Sequence, residues 1–238
     1  MAGPPLLADP VSHILALLSS SPSSPRITVA LAGVPGSGKS TLAAEIAADL
    51  NRITPNIAAV LSHDGFHLSR ARLSEGIGEH PPAVCFARRG APFTFDGAGL
   101  ASRLSRVLYA DADEVVPWPS FDHAEKDPRE GPEDVVRPEA RVLILEGIYT
   151  LSGTGTFEDA DWRGLPPLIT LRLFLDTSRD IADARLAARH VAAWGITIEE
   201  AKSRIAENDG PNGDLVVLTR ASAHFVVHSR SRSCHGTL

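Results

Sequence analysis

A doubly wound α/β fold, with a parallel sheet and helices on both its faces, is predicted by three features of the sequence. Five apolar, β-prone runs recur along the chain: ITVALAG from Ile27, NIAAVLS from Asn56, RVLILEG from Arg141, LITLRLFLD from Leu168 and AHFVVHS from Ala223. Their hydrophobicity is continuous rather than alternating, as in strands covered from both sides. Helical patterns at 39–51, 97–109, 178–193 and 197–207 lie between several of them, and such alternation implies parallel pairing. The first run also leads through a glycine-rich loop straight into the first of those helices.

Along the chain, VSHILALL (11–18) has the pattern of a short amphipathic helix and is followed by the linker SSSPSSP. Residues 1–25 therefore read as an N-terminal helix and Ser/Pro linker, and 26–238 as one domain. The stretch 65–140 is too long for an ordinary crossover and is rich in Pro and Gly, so it reads as a functional insert. With 238 residues and 43% hydrophobic composition, the chain can bury a sizeable core. A net charge of −6 argues against a dedicated nucleic-acid binder, so any anion site has to be local. Two distant cysteines, Cys85 and Cys234, point to a reducing compartment and exclude a four-cysteine zinc site. The first arginine is Arg26 and no apolar run is long enough to span a bilayer, so no leader, membrane span or membrane partner is expected, and the location expected is cytoplasmic.

The loop GVPGSGKST (Gly33–Thr41) satisfies G-x-x-x-x-G-K-[ST] in the strand–loop–helix context that the motif requires. Gly33, Gly36 and Gly38 let the backbone curl so that successive N–H groups face one anion at the positive end of the helix. The expected nucleotide site is thus the whole loop, with Ser37 and Thr41 included. Lys39 would reach the β and γ phosphates, and the Ser40 hydroxyl would ligate Mg2+. A guanine-reading N-K-x-D element is missing, since no Asn-Lys pair exists. The DGAG at 96 opens a helix with no apolar strand before it. ATP, not GTP, is the expected nucleotide.

SHDGFHLSR (62–70) closes the second run with His63, Asp64 and His67. In an open parallel sheet ligands gather outside the carboxyl ends of the strands, which puts Asp64 on the rim of the phosphate loop. A carboxylate there can take the proton of an attacking hydroxyl or hold Mg2+; alternatively it caps the turn, with both histidines at the surface. A metal site is the weakest reading, because HDGFH lacks the H-E-x-x-H order and Gly65 opposes the helix that would align the ligands. LILEGIY places Glu146 after a strand expected beside that of the phosphate loop, where it either serves Mg2+ or merely ends a strand. In DARLAARHVAAWG, Arg185 and Arg189 are four apart on one helical face, which suits either a phosphate lid or a solvent-facing basic stripe. Asp96 is a good N-cap for GAGLASRLSRVL.

In this order GVPGSGKST, HDGFHL, RRGAPFTFD, PSFDH with its following DP, and LILEGIY resemble the phosphoribulokinase/uridine kinase family. The likeness is nearest to its pantothenate-kinase-like and uncharacterised nucleoside or nucleotide kinase members, and it spans about residues 26–228. The resemblance implies a P-loop NTPase fold with a five-stranded parallel sheet, an acceptor-binding insert at about 65–140 and a helical lid at about 178–210. It implies transfer of the γ-phosphoryl group of ATP, with Mg2+, to a hydroxyl of a nucleoside, pantothenate-like or sugar acceptor. Asp64 would be the general base. His67, Arg88, Arg89, Asp96, Phe121 and His123 would belong to the acceptor pocket, with Asp127 nearby. Arg189, and with it Arg185, would close over the phosphates, and Asn208 or Asn212 would approach the adenine. A competing reading is a P-loop ATPase or nucleotide-dependent assembly factor with no small-molecule acceptor.

Overall fold

The computed structural model describes residues 3–20, 26–111, 113–122, 124–131, 134–154 and 160–228. In chain order its main elements are α1 (Pro10–Ser20), β1 (Ile27–Ala32), α2 (Lys39–Ile53), β2 (Ala58–Ser62), α3 (Arg70–Leu73), α4 (Pro82–Ala87) and α5 (Gly97–Leu108). There follow β3 (Val116–Pro117), β4 (Ser120–Asp122), β5 (Asp127–Arg129), β6 (Val135–Val136), β7 (Val142–Glu146) and β8 (Leu171–Asp176). The chain continues through α6 (Arg179–Trp194), α7 (Ile198–Arg204), α8 (Gly210–Leu218) and β9 (Phe225–His228).

Five strands form one parallel sheet in the order β2-β7-β1-β8-β9. They are the five apolar runs of the sequence. Every residue of β1 and β7 is buried, because both strands are central and covered twice. Ile27, Val29 and Leu31 face a core shared with Ile14 and Leu18 of α1 and Ala43, Ile46 and Leu50 of α2. Ala30 and Ala32 face the opposite core, with Leu100, Leu104 and Val107 of α5. A period of two along β1 thus feeds two hydrophobic layers. Among the described residues no helix is long and apolar enough to cross a membrane.

Register brings three strand ends to one rim. Glu146 pairs with Leu31 on one side and with Ser62 on the other. The phosphate loop follows β1 directly, and the turn His63–Phe66 follows β2 directly. Both therefore leave the sheet at its carboxyl edge, next to Glu146.

The stretch after β2 is built from short pieces: α3, α4, α5 and two small antiparallel ribbons, β3 with β6 and β4 with β5. Trp118 anchors the ribbons by donating its indole N–H to the Ser62 carbonyl at 2.9 Å. Beside it, a Cβ on Gly65 would overlap the Pro119 carbonyl. Glycine at 65 is thus what allows the β2 turn and the β4 ribbon to touch.

The helix expected over 197–207 is interrupted. After α7, residues Ile205–Asp209 form a π turn, in which the Gly210 N–H bonds back to the Ile205 carbonyl. Pro211 supplies the reason: it has no N–H to give, and its ring crowds the carbonyl four residues earlier. Such turns are frequent at functional sites, and here Asn208 is buried.

Gly65→Ala should lower the melting temperature by roughly 2–12 °C, the range expected for overpacking in a chain of this size. Thermal unfolding checks this, and an unchanged midpoint would mean that the ribbon does not pack on the turn.

Candidate functional site

The phosphate loop is shaped by its neighbours as much as by its own sequence. Gly36 and Gly38 have φ of 77° and 97°, the left-handed region that glycine enters without cost. A Cβ on Gly36 would also run into the Ala182 carbonyl of α6. Arg185 Nη1 of α6 and Thr177 Oγ1, just past the end of β8, donate to the Ser37 carbonyl at 3.2 and 3.1 Å. Arg185 therefore clamps the loop. No side chain caps the first turn of α2, so its N–H groups are left for an anion. Thr41 lies exposed on that turn.

Lys39 is buried, with Nζ donating to the Val34 carbonyl at 3.2 Å. Burial pushes its pKa down, while Glu146 and Asp64 pull it back up. Ser40 Oγ donates to Glu146 Oε2 at 3.1 Å. These two hard oxygen groups suit Mg2+, which takes few protein ligands and completes its shell with phosphate and water. Among the described residues no cluster of three metal-ligating side chains offers an alternative.

Asp64 occupies the turn after β2, where its N–H donates to Ser62 Oγ at 3.2 Å. Its side chain is 43% exposed, while that of His63 beside it is 1% exposed. His63 stacks on Phe95 with centroids 4.6 Å apart and brings Nδ1 to 3.1 Å from Asp64 Oδ1. The ring is so tightly seated that a Cβ on Gly147 would strike it. Burial acts to raise the pKa of Asp64, but the His63 contact and the charge of Lys39 outweigh it. The carboxyl is held well below the usual range and is ionised at neutral pH. His67 lies between Phe95 and Phe121, with centroids 3.9 and 4.7 Å away. Its Nδ1 donates to the Asp64 carbonyl at 2.8 Å. A carbonyl only accepts, so Nδ1 carries the proton and Nε2 is left as an acceptor. Burial holds this imidazole down to about 4.

Lys39, Ser40, Asp64, His67, Arg89, Phe121, Glu146 and Arg189 line one cavity of about 520 Å3, within the range of small-molecule sites. Other expected residues lie elsewhere. Arg88 Nε donates to Asn208 Oδ1 at 3.2 Å and its Nη2 to Asn212 Oδ1 at 3.5 Å. It thus braces the end of α4 against the π turn and α8 and is not among the residues that line this cavity. Of the two asparagines expected near the adenine, Asn208 also donates to the Arg89 carbonyl at 2.8 Å, so its amide is used by the protein, whereas Asn212 lines the cavity. Asp96 is an N-cap, accepting from the Gly99 N–H at 2.7 Å, and not a substrate ligand. His123 lies outside the described residues. Asp127 Oδ1 pairs with Arg89 at 3.3 Å and accepts from the Arg70 N–H at 2.8 Å.

Sequence reasoning missed Lys126, Trp194, Arg204 and Asp209, all of which line the cavity. The one available signal was the scarcity of lysine: Lys126 is one of three in the chain. The alternative in which Asp64 only caps a turn with both histidines at the surface does not fit His63, which is fully buried.

A search of family models finds no match. Relatives are nonetheless close. The ATP-dependent kinase-like protein notR' of Aspergillus versicolor is 42% identical over 170 residues, covering 69% of this chain and 92% of that protein. A provisionally named uridine kinase of Schizosaccharomyces pombe, C227.14, is 38% identical over 187 residues, 77% of this chain and 75% of its own length. The chain belongs to the uridine kinase-like P-loop kinases. Among solved structures, this P-loop kinase superposes with a TM-score of 0.75 on a provisionally named fructose transport system kinase from Silicibacter sp. TM1040. That protein is 33% identical, with 91% of this chain and 97% of the other covered. The likeness to D-glycerate 3-kinase from Cryptococcus neoformans, with a TM-score of 0.67 and 17% identity over 92% of this chain and 93% of that one, is one of fold.

His67 and His190 are both held at about 4 against an ordinary 6.5 by burial. The unfolded chain therefore binds protons that the folded one refuses between those values, and stability falls as pH drops through this window. The melting temperature should decline between pH 6.5 and 4, and His67→Phe should flatten part of that slope. A slope unchanged in the variant would mean that His67 is not held neutral.

Proposed function

We propose that this P-loop kinase transfers the γ-phosphoryl group of ATP to a hydroxyl of a small metabolite, with Asp64 as the general base. One observation carries the reading: the Asp64 carboxylate faces the same cavity as Lys39 and Ser40, and the cavity continues past it to Phe121 and Trp194. An ATPase without an acceptor needs a group to position water and no such second compartment.

In the reaction, the acceptor oxygen forms a bond to the γ-phosphorus as the bond from that phosphorus to the β,γ-bridging oxygen breaks. The hydroxyl proton passes to Asp64 and ADP leaves. Asp64 is available because its pKa is lowered; His63 and the Ser62 hydroxyl fix its position. Lys39 and the loop amides hold the β and γ phosphates, and Arg185 keeps the loop in shape by holding the Ser37 carbonyl. Arg189, one helical turn further along α6, presents a charge to the transferring group. Mg2+ held by Ser40 and Glu146 would neutralise phosphate charge. Phosphoryl transfer needs little covalent help, so position and electrostatics account for most of the rate.

Lys39→Ala should abolish tight ATP binding or turnover, as read by ATP titration and ADP release; intact affinity and activity would refute the loop assignment. Asp64→Asn should cut turnover by about 10²–10⁴ with nucleotide affinity little changed. A mild effect would reduce Asp64 to a cap. Arg189→Ala should slow transfer more than it weakens ATP binding, and the reverse pattern would make it a ground-state contact only.

A further inference from the structure

The end of the cavity remote from the phosphate loop carries charges for which the transfer step has no use. Lys126 occupies the tip of the β4–β5 hairpin with φ of 56°, a left-handed conformation that is strained for a residue other than glycine. Its Nζ lies 5.1 Å from the centroid of the Trp194 ring, at the end of α6. The Arg204 guanidinium, at the end of α7, lies 4.7 Å from the same centroid. Arg89 extends the group, donating to the Lys126 carbonyl at 2.5 Å with its guanidinium 5.4 Å from the Phe121 centroid.

Positive charge here is poorly balanced. Among the described residues no carboxylate lies within 4.0 Å of Lys126 Nζ or of the Arg204 guanidinium. The buried Nε atoms of Arg89 and Arg204 have no hydrogen-bond partner. Asp127 pairs with Arg89. Asp209 is the carboxylate on this part of the cavity wall; the charge of Arg204 acts on it without an ion pair, and burial raises its pKa. Cationic groups that face a cavity without a carboxylate against them can each give an anion there a charge-assisted hydrogen bond.

We propose that the acceptor carries, besides the hydroxyl offered to Asp64, a carboxylate or phosphate group held by Lys126, Arg204 and Arg89 against Trp194. This rests on the kinase reading and narrows its substrate class from small alcohols in general to anionic ones. Positive potential in a low-dielectric cleft favours an anion over a neutral molecule of the same shape. Trp194 holds Lys126 of the hairpin and Arg204 of α7 in place through its ring face and gives the acceptor an apolar wall.

The test is ATP consumption by the whole chain with matched acceptors: glycerol, glycerate and glycerol 3-phosphate; ribose and ribose 5-phosphate; pantothenol and pantothenate. An anionic member should exceed its neutral partner by about tenfold or more in kcat/KM, the scale of one charge-assisted hydrogen bond. Which partner responds separates carboxylate from phosphate. For that acceptor Lys126→Ala and Arg204→Ala should each raise KM about tenfold with the KM for ATP little moved, and Arg204→Lys should recover part of the loss. Equal or better use of the neutral members, or an unchanged acceptor KM in folded variants, overturns the proposal and leaves the kinase reading standing. ATP turnover indifferent to every acceptor overturns both. The wild-type preference within each pair stands even where a variant fails to fold.

Discussion

The His63 imidazole, wedged between the ends of two strands, is the constraint from which the site follows. It fills the space that glycine leaves at 147, lies flat against Phe95 and sets its Nδ1 beside the Asp64 carboxylate. A ring this deeply buried and this tightly packed has one place to sit. The carboxylate next to it is therefore aimed across the sheet rim at Lys39, and the Glu146–Gly147 turn is fixed at the same time. Two motifs far apart in sequence, HDGFH and LEGIY, are in this sense a single packing unit.

What was legible in the sequence follows from how each part is stabilised. The five sheet strands stood out because each is covered on one or both faces by helices, so that burial wrote continuous apolar runs. The phosphate loop stood out because only certain residue types can present curled amides to an anion. The β3–β6 ribbons did not stand out. Strands of two or three residues are held by individual contacts, such as Ser120 Oγ to Asp134 Oδ2 at 3.0 Å, and such contacts leave no periodicity. Arg88, Asp96 and Asn208 show the converse. Their types are compatible with ligand binding, yet the fold uses them to join its own parts.

Charge is distributed to the same end. The chain is acidic overall, with a formal charge of −6, yet five cationic side chains, Lys39, Arg89, Lys126, Arg189 and Arg204, converge on one cavity. They come from the phosphate loop, the insert and both lid helices, so the cavity acquires this character only when those segments meet. Neutral His67 and His190 add no further charge to it.

The Arg88 brace sets how such a vessel can open. It ties the insert to the π turn and α8 through two buried amides, whereas the hairpin tip meets the lid through Lys126 over an exposed indole. Contacts of the first kind resist water and those of the second give way readily. Parting the Lys126–Trp194 seam thus costs less than parting the joint at Arg88, which makes the hairpin side the easier one to open.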